Sequence, residues 1–146
     1  MDIYSRIRQD HERQRELAAQ LADTHGDSPD RKRLFDSLAG EIEAHANAEE
    51  QTFYASLIAI PEGQEQARHS VSEHKEAADL LEELQGMDMS AGGWLVKFRK
   101  LKDELEHHMD EEESEVFRLA RNLIDEDEAA RLGADFDRRK ANELAA

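Results

Sequence analysis

Apolar residues recur every three or four positions along most of the chain, and strand-like alternation is absent. An α-helix turns by about 100° per residue, so such positions share one face. The period breaks where glycine and proline collect: at His25-Gly26-Asp27-Ser28-Pro29-Asp30, at Ile60-Pro61-Glu62-Gly63, and between Gly86 and Gly93. Ser28 is placed to cap a helix that begins with Pro29, and Ser90 to cap a later one. Asp125 followed by Glu128 fits a capping box. The pattern predicts helices over roughly 2–24, 29–60, 62–85, 91–124 and 126–144. Short connections set neighbouring helices antiparallel. The expected fold is all-α: an up-down-up-down four-helix bundle over about 2–124 with a short C-terminal helix over about 126–144, in one domain spanning 1–146.

The stripes are more informative where they are interrupted. The first runs Ile3, Ile7, His11, Gln14, Ala18, Leu21, and the second Leu34, Leu38, Ile42, His45, Glu49, Phe53, Leu57. The third runs Ala67, Val71, His74, Ala78, Leu81, Leu84, and the fourth Leu101, Leu105, His108, Glu112, Val116, Leu119, Leu123. Every long helix thus places a histidine where a core residue belongs, and two add a glutamate one turn later. His45 to Glu50 and His108 to Glu113 echo one another, as two pseudo-symmetric helices serving one centre would.

Composition narrows the chemistry. There is no cysteine, which removes disulfides, thiolate zinc sites, iron–sulfur clusters and thiol nucleophiles together. Lys and Arg number 19 against 35 Asp and Glu, a net charge of −16. So acidic a surface repels phosphate backbones and anionic lipid, so neither nucleic acid nor a membrane is expected as a partner. No secretory h-region and no membrane-length apolar run is visible, and the expected location is the cytoplasm.

A buried, unpaired carboxylate costs several kcal/mol, and two cost more. A bound cation offsets that cost. Four imidazoles and two carboxylates without sulfur suit iron, manganese or zinc rather than calcium or magnesium. One such histidine is more often a hydrogen-bonded core residue, but four in register with two glutamates would leave a structural network with many unmet donors and acceptors.

The ordered set His11, His45-x-x-x-Glu49, His74, His108-x-x-x-Glu112 resembles the hemerythrin-like HHE cation-binding domain in its bacterial H…HxxxE…H…HxxxE form. The resemblance implies two non-haem iron ions, oxo- or hydroxo-bridged. Glu49 and Glu112 would bridge them, and His11, His45, His74 and His108 would be terminal ligands. It implies activity toward dioxygen, peroxide or nitric oxide, or a role in sensing iron or oxygen. The invertebrate oxygen carriers have a second histidine four residues before the third-helix ligand; here that position is Ser70. His69 lies about 140° away around the helix. One protein ligand fewer leaves coordination positions open, which favours peroxide or nitric oxide chemistry over oxygen carriage.

Several residues are expected outside the ligand set. His107 reads as surface, although a small rotation of the fourth helix would exchange it with His108 and pair it with Glu111. His25 falls in a loop. Glu50, Glu111, Glu113 and Glu115 read as an exposed acidic face, with hydrogen bonding to the ligand imidazoles as the alternative. Tyr4 reads as packing or as a donor near the site. Tyr54 does not share an α-helical face with Glu49, yet is a candidate donor to a bound small molecule. Trp94, Phe98 and Phe117 read as core or interface, and Phe136 as the residue that docks the last helix.

The functions that remain are a stress-defence protein that consumes peroxide or nitric oxide at a di-iron centre, a reversible oxygen or nitric oxide binder or sensor, and a structural acidic helical module for protein interaction. The sequence leaves turnover, metal identity and oligomeric state open.

Overall fold

The computed structural model describes all residues, Met1–Ala146. Helix α1 spans Ile3–Ala22 and α3 spans Gln64–Gln85. Helix α2 covers 29–58 and α4 covers 92–123; each is α-helical at both ends and contains one wider π-turn, at Glu50–Tyr54 and at Glu112–Val116 respectively. Helix α5 spans Glu126–Ala145. The first four form the antiparallel bundle, and α5 lies in the outer groove between α1 and α2.

The local signals act largely as expected. Ser28 accepts from the Arg31 amide at 3.2 Å with Pro29 as first residue of α2, and Asp125 accepts from the Glu128 amide at 2.8 Å to open α5. Only half of the box closes, because the Glu128 carboxylate accepts from Ser56 instead. Ser90 does not cap α4: its amide and hydroxyl both bind Asp88, and the helix begins behind Ala91. The C-terminal helix is not short. It has 20 residues, as many as α1, and Phe136 anchors it at 0% exposure. Gly133 lets it lie against the chain start, where a Cβ would overlap the carbonyl of Met1.

The α1 and α2 stripes bury as predicted. In α3 the buried residues are Ala67, Ser70, Ala77, Leu80, Leu81 and Leu84, so Val71 and Ala78 lie off the buried face. In α4 the line holds through Val116 and then moves to Phe117 and Ala120, with Ile124 buried just past the helix end, leaving Leu119 and Leu123 partly exposed. The cause is the π-turn: one extra residue per turn shifts every later position around the axis. Apolar packing forms two bodies, one of 16 buried residues around Trp94, Phe98 and Leu38, the other of 15 around Phe53, Phe117 and Phe136. A polar layer separates them.

Candidate metal centre

That layer is where the interrupted stripes meet. His11 comes from α1, His45 and Glu49 from α2, His74 from α3, and His108 and Glu112 from α4. They form two sets, His11–His45–Glu49–Glu112 and His74–His108–Glu49–Glu112, and within each set one donor atom per residue lies within 4.8 Å of the others. Both glutamates belong to both sets. Glu49 sends Oε2 to within 3.3 Å of His45 Nε2 and Oε1 to within 3.0 Å of His74 Nε2. Glu112 sends Oε1 to within 3.0 Å of His11 Nε2 and Oε2 to within 3.5 Å of His108 Nε2.

These approaches lack hydrogen-bond direction. All four Nε2 atoms, both oxygens of Glu49 and Oε1 of Glu112 are buried without a partner. Each such atom costs about 1–3 kcal/mol, more where it is charged. Bonds of about 2.0–2.2 Å from one ion to nitrogen and oxygen place adjacent donors about 3 Å apart, which matches the spacing here. The residues therefore fit a pair of cations sharing two carboxylates.

Each imidazole is held from behind by a carboxylate. His11 Nδ1 pairs with Glu113 at 2.7 Å, His45 Nδ1 with Asp10 at 2.7 Å, His74 Nδ1 with Glu50 at 2.8 Å and His108 Nδ1 with Glu73 at 2.9 Å. A carboxylate at Nδ1 keeps the proton there and turns the Nε2 lone pair inward, the arrangement ligand histidines use. This corrects the expected surface placement of Glu50 and Glu113, which are half-buried partners of the rings. Asp10 and Glu73 escaped the sequence reading altogether. A signal existed: an acid precedes His11 and His74, and an acid follows Glu49 and Glu112, so the chain repeats acid-His then His-x-x-x-Glu-acid.

The repeat makes the layer pseudo-twofold, α1 with α3 and α2 with α4, but its charges are not symmetric. Asp10 also binds Arg6 at 2.6 Å and Lys140 of α5 at 2.8 Å, and Glu113 binds Arg15 at 2.7 Å. Neither Glu50 nor Glu73 is paired with a lysine or arginine. Burial opposes the charge on Asp10, yet His45, Lys140 and Arg6 hold it far below the usual carboxylate range. Burial likewise opposes charge on the rings, but Glu49 and Asp10 push His45 up to about 9, and Glu49 and Glu50 push His74 up to about 10.

Tyr54 donates to Glu112 Oε2, so the π-turn brings it back to the site it would face away from in an α-helix. Tyr4 is packing: its ring lies 5.1 Å from Phe117, and its hydroxyl has no partner. His107 is 71% exposed and His69 51%; both lie outside the core, as does the exposed loop residue His25. A cavity of about 280 Å³ reaches His11, His45, His74 and His108 from the surface.

A helical bundle with a carboxylate–histidine layer defines a cation-binding domain. The chain belongs to the Hemerythrin HHE cation binding domain family, which it matches over residues 2–120. A protein from Nostoc sp. named DNA nickase is 26% identical over 141 residues, 97% of this chain. The chain spans only 40% of that relative's length. The crystal structure of a hemerythrin HHE cation binding domain-containing protein from Mycobacterium kansasii superposes with a TM-score of 0.89 at 24% identity, over 99% of this chain and 88% of that one. This likeness concerns the fold. No helix is long and apolar enough to cross a membrane.

Proposed function

We propose that the layer binds two iron ions and that the loaded protein consumes peroxide or nitric oxide. The observation that carries the reading is the set of orphaned inward atoms on six residues, with each glutamate offering one oxygen to each set. A purely structural network would have paired them. His11 and His45 would hold one ion, His74 and His108 the other, and Glu49 and Glu112 both. The ions would supply redox chemistry and open coordination positions. The chain's own part is to fix the rings through their outer carboxylates, to exclude bulk water with the two apolar bodies, and to place the Tyr54 hydroxyl at the carboxylate of Glu112. The cavity of about 280 Å³ has room for molecules the size of peroxide or nitric oxide beside the four histidines. We do not carry the name of the Nostoc relative over to this chain, which spans 40% of that protein and whose net charge of −16 disfavours a phosphate backbone.

The test begins with metal content by elemental mass spectrometry on untagged protein. About two irons per chain are expected, falling in Glu49→Gln and in His45→Ala. The iron-loaded protein should then remove peroxide through many turnovers by disproportionation to water and dioxygen, or remove nitric oxide through many turnovers when a chemical reductant is supplied to carry it to nitrous oxide and water. A stable adduct that reverses under vacuum would make it a binder instead. No metal after anaerobic iron loading would leave only a helical interaction module.

A further inference from the structure

The pseudo-twofold layer is broken in one informative place. In α1, Arg6 stands four residues before Asp10 and binds it. The equivalent position in α3, four before Glu73, is His69, whose Nε2 is 3.5 Å from Glu73 and 3.1 Å from Glu111. His107 Nε2 reaches the second oxygen of Glu111 at 3.3 Å. One donor atom each from His69, Glu73 and Glu111 lies within 4.8 Å of the others. Where one half of the molecule has a fixed guanidinium and the Lys140 ammonium, the other half holds two converging carboxylates and two imidazoles with no permanent cation.

Two members of the cluster, Glu73 and His107, also line the cavity that contains the four inner histidines. Glu76, Asp103 and Glu104 line it with them, and Glu73 itself binds the back of His108. An acidic, low-dielectric cleft concentrates cations and speeds their arrival by about 10–10³-fold.

We propose that His69, Glu73 and Glu111, with His107 against the other oxygen of Glu111, form a third divalent-cation site, exchangeable with solvent, through which metal ions reach the core pair. Nitrogen and oxygen donors of this kind suit Mn²⁺, Fe²⁺ and Zn²⁺. The inference rests on the core being a metal centre, and the two are separable by position.

Crystals soaked in Mn²⁺ should give an anomalous peak between His69 and Glu111 in addition to the core peaks. His69→Ala with Glu111→Gln should remove the outer peak, keep the core peaks, and slow anaerobic Fe²⁺ uptake into the core about tenfold or more. His69→Arg should do the same by restoring a fixed cation, and it keeps the test open if the double variant folds poorly. No outer peak, or core uptake at the unaltered rate in both variants, would overturn the proposal. Core peaks missing with the outer peak present would sink the di-iron reading and leave the outer site supported as a binding site.

Discussion

Histidine rings that are charged in a buried layer tie the metal-stripped protein to pH. His45 at about 9 and His74 at about 10 lie above the unfolded value of 6.5. A folded pKa that is raised contributes stability in full below 6.5, and that contribution is lost as pH rises through 9 to 10. Glu113 works in the opposite sense. Burial opposes its charge, but His11 and Arg15 hold it at about 2 against 4.5, so its contribution is present above 4.5 and lost as pH falls toward 2. The stripped protein should therefore be most stable between these windows, near pH 5–6. Urea midpoints measured at pH 5.5 and at pH 9.5 check this, and equal midpoints would contradict it. Metal binding needs the same nitrogens unprotonated, so ion affinity should rise over the range in which the stripped fold weakens.

At the scale of the element, the four histidines and two glutamates were legible because each broke an apolar period that straight α-helices keep. Two things were not. The π-turns carry no sequence mark that a 100° period can read, so Tyr54 was assigned to a different face from Glu49, and Leu119 and Leu123 were assigned to the core. Hydroxyls in the two turns offer a local account: Thr52 binds the Ala48 carbonyl at 2.7 Å and Ser114 the Asp110 carbonyl at 2.7 Å, side-chain bonds that compete with the regular α-helical ladder. The outer carboxylates were hidden for another reason, since Asp10 serves a ring on α2 and Glu73 a ring on α4, contacts that no single-helix periodicity contains. The start of α5 depends on one residue. Asp125→Ala should cost about 1 kcal/mol, and it should show as faster amide exchange at Glu128 with little change in α1–α4. Uniform loss of protection across the bundle would mean that α5 does not unfold by itself.

Taken whole, the molecule is a bundle whose polar layer is finished by a helix outside it. Lys140 bridges Asp10 and Glu41 at 2.8 Å each, in the groove where α5 lies on α1 and α2. Breaking a buried pair leaves a charge uncompensated, so Lys140→Met should lower stability by about 3 kcal/mol in urea titration, although Arg6 still attends Asp10. A shift within error would place α5 outside the electrostatics of the layer. The same fixed cations have a consequence for time as well as for strength. Arg6, Arg15 and Lys140 all stand behind His11 and His45, so an arriving ion is repelled from that half and drawn toward the half backed by Glu50 and Glu73. With two ions bound, as proposed, the two seats would be filled in order. One equivalent of Mn²⁺ should give a single paramagnetic resonance species, where equal seats would give two in comparable amounts. A half-filled chain is on this view one defined molecule, and the second ion always arrives beside a neighbour already in place.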